Sequence, residues 1–172
     1  IDYKFWLNAS LAPGGNNKPS SELAFIFNAE QVTVHSTGDP RLLEANSGHP
    51  TSPDYQISWP VFDDVDYSKL GNWEGWLGFF EYPQAVADFT GVYDHTYQEG
   101  IARIFPRHIA VGAKGFSTGW GEHAIPWVNW TDEDSRSVEL HGGPVATFWD
   151  TATLTASASL SWTEKWYPVG AI

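Results

Sequence analysis

The chain has 172 residues, 42% of them hydrophobic, which suits one domain of about 150 residues with its own core and does not demand a second. Nine basic residues against 21 acidic ones leave a net charge of −12, which excludes a general phosphate-backbone binder and argues against nucleic acid or an anionic membrane surface as a partner. The lack of cysteine removes disulfides, thiolate metal ligands and a Cys nucleophile, while leaving the compartment open, since an extracellular protein with an adequate core needs no disulfide.

The opening IDYKFWLNAS has neither the basic start nor the apolar middle of a signal peptide, and methionine is absent even at position 1. The chain reads as a mature product, an excised module or a trimmed fragment. ELAFIFN (22–28) and QVTVHS (31–36) are predicted strands, with Val32 and Val34 facing one way and Thr33 and His35 the other. From Gly38 to Ser58, proline and glycine predict a long irregular loop. Further strands are expected over Leu77–Tyr82, Phe89–Tyr93 and Gly100–Pro106, with DHTYQEG (94–100) as a hairpin connection. Another is expected to start near Lys114, and SVELHGG supplies one from Ser137 that ends in a Gly142-Gly143 turn.

Thr151–Tyr167 alternates most regularly. Ala152, Leu154, Ala156, Ala158, Leu160, Trp162, Glu164 and Trp166 share one parity, which predicts a half-buried strand, or two strands divided by a turn near Thr155–Ser159. Short strands without intervening helical periodicity predict an all-β fold, an antiparallel β-sandwich spanning residues 1–172 as a single domain, as a module or as part of a longer protein.

Aromatic residues make up 16% of the chain and include ten Trp, an excess that suits a flat apolar face meeting something polar. Glu164 shares its parity with Trp162 and Trp166, so a carboxylate and two indoles can meet one ligand. Glu139 and His141 lie opposite Val138 and Leu140 on their strand, placing acid and imidazole together on the outer side. His95 follows Asp94 in a turn at a strand end, and Arg103 shares its parity with Ile101 and Phe105, where a charge must snorkel or pair with an acid. The acid runs Asp63, Asp64, Asp66 and Asp132, Glu133, Asp134 lack the spacing of a calcium loop, and no metal or cofactor is expected.

The stretch GNWEGWLGFFEYPQAVADFTGVYDHTYQEGIARIFP, with GAKGFSTGWG, SVELHGG, TFWDTATL and the opening FWLNASLAP, resembles the uncharacterised DUF5107 family. The resemblance implies a galactose-mutarotase-like supersandwich, or a reduced portion of one, because 172 residues fall short of the usual length. It also implies a sugar cleft on a broad sheet with a His and a Glu as acid and base, for which His95, Glu139 and Glu164 are the catalytic candidates. A portion of a supersandwich leaves sheet surface to be covered by a second copy or a partner chain.

The expected function is non-catalytic binding of a neutral oligosaccharide or polysaccharide, through Trp73, Trp76, Trp120, Trp162 and Trp166 as stacking surfaces and Arg103 and His141 as polar contacts. Two alternatives stand beside it: a mutarotase-like epimerase or glycoside hydrolase using a His/Glu pair, and a structural assembly domain whose aromatics seal a subunit interface.

Overall fold

The computed structural model describes residues 1–14, 17–83, 87–132 and 135–171. In chain order the strands are β1 (Asp2–Tyr3), β2 (Leu7–Leu11), β3 (Leu23–Ile26), β4 (Gln31–Thr37), β5 (Gln56–Ser58), β6 (Val61–Phe62), β7 (Val65–Asp66), β8 (Leu77–Phe80), β9 (Phe89–Asp94), β10 (Glu99–Ile104), β11 (Gly112–Ser117), β12 (Val138–Gly143), β13 (Ala152–Thr153) and β14 (Lys165–Val169). One short helix, α1, covers Pro40–Ala45. The fold is all-β. A six-stranded sheet in the order β2-β12-β11-β8-β4-β5 faces a four-stranded sheet in the order β14-β10-β9-β3, and every pairing within them is antiparallel.

Strand periodicity decides which residues meet between the sheets. From the larger sheet come Val32, Val34, Leu77, Phe79, Val138 and Leu140, and from the smaller Leu23, Phe25 and Val92, all 2% exposed or less. Phe25 stacks on Trp73 with ring centroids 4.8 Å apart, and the edges of Trp59 and Trp73 meet Phe79 at 5.4 and 5.6 Å. These offset and edge-on contacts make the aromatic excess largely a core property.

Two segments depart from the sequence expectation. The loop expected from Gly38 to Ser58 holds α1 and β5. Asp39 caps the helix by accepting from the Arg41 amide at 3.0 Å, and Pro40 follows it where no helical N–H is required. Of the alternating Thr151–Tyr167 run, only Ala152–Thr153 and Lys165 onward form strands; they pair with β1 and β10, not with each other. A turn closes between Thr155 and Ala158, with Ser157 at φ 62°, where the two-strand alternative placed one. Alternation among Ala, Ser and Thr offers little apolar area to bury, so the pattern has no burial energy behind it.

Gly142 does not form the expected turn either. It lies within β12 opposite Ala113 and Leu7, where an added Cβ would fall 1.9 Å from Nη2 of Arg103. Its bare backbone makes room for a buried guanidinium.

Candidate functional site

The outward face of the six-stranded sheet carries the polar side chains. Cross-strand register sets Asn8 beside His141, His141 beside Lys114 and Lys114 beside Phe80, while Glu139 lies beside Phe116. Adjacent same-face positions bring side chains into contact. His141 Nε2 lies 2.9 Å from Glu139 Oε2, and Asn8 Nδ2 donates to the same oxygen at 3.2 Å. The hydrogen bond from His141 holds Glu139 below the usual carboxylate range, whereas burial pushes His141 down. An ionised Glu139 accepting from a neutral His141 satisfies both.

Lys114 is 3% exposed. Gly78 on β8 lets its stem lie flat, since a Cβ there would come within 3.0 Å of Lys114 Cε and 3.2 Å of the Phe116 ring. The ammonium sits 4.7 Å from the Phe148 ring centroid and 5.0 Å from that of Phe116. Burial pushes Lys114 down to about 8. His35, at a bulge in β4, meets the rings of Phe80, Phe148 and Trp149 at 4.8 to 5.7 Å. Phe148 is held over these groups by a turn in which the Thr147 amide and hydroxyl donate to Asp150 at 3.0 and 2.7 Å. Beside Glu139 a small pocket is lined by Phe116, Ser117, Trp127, Trp130 and Ser137, and Trp130 is 69% exposed.

No family model and no curated protein matches this chain. Its fold is similar to that of a TPR-domain containing protein from Parabacteroides distasonis, at a TM-score of 0.69 and 17% identity, over 98% of this chain and 25% of that one. The chain thus spans about a quarter of the length of that protein. Tetratricopeptide repeats are pairs of helices. Since this chain has one six-residue α-helix and two three-residue 3₁₀ helices among its described residues, the likeness is one of β-architecture.

The structure brings together only some of the residues singled out from sequence. Glu139 and His141 share the outer face of the larger sheet as their parity implied. His95 lies on the far side of the sandwich, lining a trough on the outer face of the smaller sheet, so it cannot share a ligand with Glu139. Glu164 is held between the sheets: Arg103 Nε and Nη2 donate to its two oxygens at 2.8 and 2.6 Å, and the Trp162 indole donates at 2.9 Å. Burial pushes Glu164 up, but the Arg103 and Trp162 hydrogen bonds outweigh it and hold the carboxyl below its ordinary value. Arg103 is fully buried, 3.8 Å over the Phe105 ring, so neither partner is free to grip a ligand.

Trp73 is fully buried and donates to the Tyr67 carbonyl at 2.8 Å, leaving no face for a sugar. Trp120 and Trp166 pack against the same core, and Trp120 carries the Arg136 guanidinium 4.9 Å over its ring. Half-buried Trp76 fills the space above Gly38. Among the acid runs, Asp63 and Asp64 form the positive-φ turn between β6 and β7, and Glu133 and Asp134 lie outside the described residues. Sequence reasoning missed Asn8, His35, Lys114, Trp127 and Trp130. A signal for Lys114 was present: a lysine inside the strand segment GAKGFS, flanked along the chain by Gly112 and Gly115, has to reach past its neighbours or be buried.

The trough on the smaller sheet is apolar and about 510 Å³ in volume, and Ile26 and Phe89 in its lining are 40% and 38% exposed.

Burial, helped by the Lys114 charge, pushes His35 down to about 3. An unfolded histidine titrates near 6.5, so between about pH 6.5 and 3 the unfolded chain binds a proton that the folded chain refuses, and stability falls as pH falls. His141 acts in the same direction. Thermal melts are expected to show a lower midpoint at about pH 5 than at about pH 7, with the gap narrowed by His35→Phe. An unchanged gap in that variant would remove His35 as a source of acid sensitivity.

Proposed function

We propose that this domain binds carbohydrate, without catalysis, on the outer face of the six-stranded sheet where Trp127, Trp130 and Phe116 border Glu139, Asn8 and His141. The observation that carries the reading is Trp130, 69% exposed at a small pocket that the Glu139 carboxylate also lines. An indole covers the C–H face of a pyranose, and Glu139 accepts from its hydroxyls while Asn8 and His141 hold that carboxylate in place. A charge of −12 favours a glycan that is mainly uncharged. A catalytic version of this site would use His141 with Glu139.

A glycan-array screen followed by calorimetry tests the reading. Trp130→Ala is expected to weaken binding by about tenfold or more, as loss of a stacking anchor does, with the fold unchanged. Absence of any bound glycan, or an unchanged Kd in the variant, would overturn it.

A second reading has its own support in the apolar outer face of the smaller sheet. We propose that this face is covered by a second copy or a partner chain, because Ile26, Phe89, Ile104 and Tyr167 are each 38–47% exposed on one side of one sheet. A mass by light scattering that stays monomeric across concentration would count against a second copy.

A further inference from the structure

The buried half of the same cluster has more hydrogen-bond donors than acceptors. Lys114 presents three N–H groups from a side chain that is 3% exposed; the Glu139 carboxylate is the charge that acts on them, and they make no hydrogen bond among the described residues. Trp6 lies on the same face, its ring over Gly112, 4.7 Å from Phe148 and 5.7 Å from Phe80. Its indole N–H is buried and likewise has no partner among the described residues. The neighbouring carboxylate, Glu139, already takes His141 and Asn8 on one oxygen. Phenylalanine faces offset part of the cost of burying an ammonium but supply no hydrogen-bond acceptor. What would balance the site is a group rich in acceptors and carrying negative charge.

We infer that Lys114 and Trp6 receive the carboxylate of an acidic sugar residue, a uronic acid, within a glycan whose adjoining unit stacks on Trp130. The inference rests on the carbohydrate reading above and names the ligand class for that site. One ammonium balances one carboxylate. A phosphate monoester, with more charge, would face Glu139 and a strongly acidic chain with a single cation to offset it. The exposed Trp130 rim and buried Lys114 adjoin through Glu139 and Phe116, which both parts share, so one oligosaccharide can meet both.

Calorimetry with galacturonate and glucuronate trisaccharides, their methyl esters, neutral trisaccharides and acetate tests this. Wild-type protein is expected to bind one of the acidic trisaccharides about tenfold or more tightly than its methyl ester, as a charge-assisted hydrogen bond does. Lys114→Met, which keeps the stem and loses the charge, is expected to abolish that preference, so that acid and ester bind within about twofold of each other. Equal affinity for acid and ester in the wild type overturns the inference without needing the variant to fold. A preference that survives Lys114→Met overturns it too, and acetate competing as well as the trisaccharide would leave a site for free carboxylates, not for a sugar. If neutral sugars bind but acidic ones gain nothing, the carbohydrate reading stands and this inference falls; if neither binds, both fall.

Discussion

Glu164→Ala is expected to lower the free energy of unfolding by about 3–5 kcal/mol, the usual cost of stranding a buried charge. Arg103 has no exposed surface and Glu164 has 7% of its side chain exposed, so removing the acid leaves a guanidinium between two sheets with, among the described residues, only the Gly112 and His141 carbonyls, at 3.3 and 3.5 Å, to receive it. Urea unfolding followed by Trp fluorescence would measure the loss. Replacing both partners, Arg103→Met with Glu164→Leu, is expected to recover most of it, because desolvation of the two charges is then no longer required. A single variant within about 1 kcal/mol of wild type would mean that water reaches the guanidinium and screens it.

Trp73→Ala is expected to cost about 3–5 kcal/mol as well, through a cavity. Trp73 is fully buried, stacked on Phe25 and edge-on to Phe79, and its removal also leaves the Tyr67 carbonyl without the indole donor. The same substitution at Trp130 is expected to change stability by less than about 0.5 kcal/mol, since an exposed side chain leaves no void. Chemical denaturation of the two variants side by side tests the contrast: equal losses would show either that Trp130 packs into the fold or that the core closes around the missing Trp73. Ten indoles in one composition thus divide into those that build the sandwich and those free to meet a ligand, and only burial separates them.

Several features were legible residue by residue. Val32, Val34, Val138 and Leu140 alternate with polar residues, and local alternation is enough to set which side chains face inward once a strand forms. The same rule put Glu139 and His141 together, because residues two apart on a strand share a face whatever the rest of the chain does. Arg103 was marked as a charge on an apolar parity that needed an acid. Its partner was not legible: Glu164 is 61 residues away, and nothing between β10 and β14 announces that those strands pair. The indoles beside Glu164 suggested an open sugar platform, yet the strand pairing turned that carboxylate inward.

From the sequence alone came the all-β class, the approximate positions of most long strands, and the facing of side chains within each, all consequences of geometry over a few residues. Strand order, and therefore which strangers in sequence become neighbours, was decided by the tertiary structure. It set His95 and Glu139 on opposite sides of the sandwich, closed Arg103 on Glu164, and gathered Asn8, His35, Lys114 and Phe148 around His141. The physical reason is that backbone periodicity is local, whereas the burial energy that chooses between alternative sheet pairings belongs to the whole core and is not carried by any one segment.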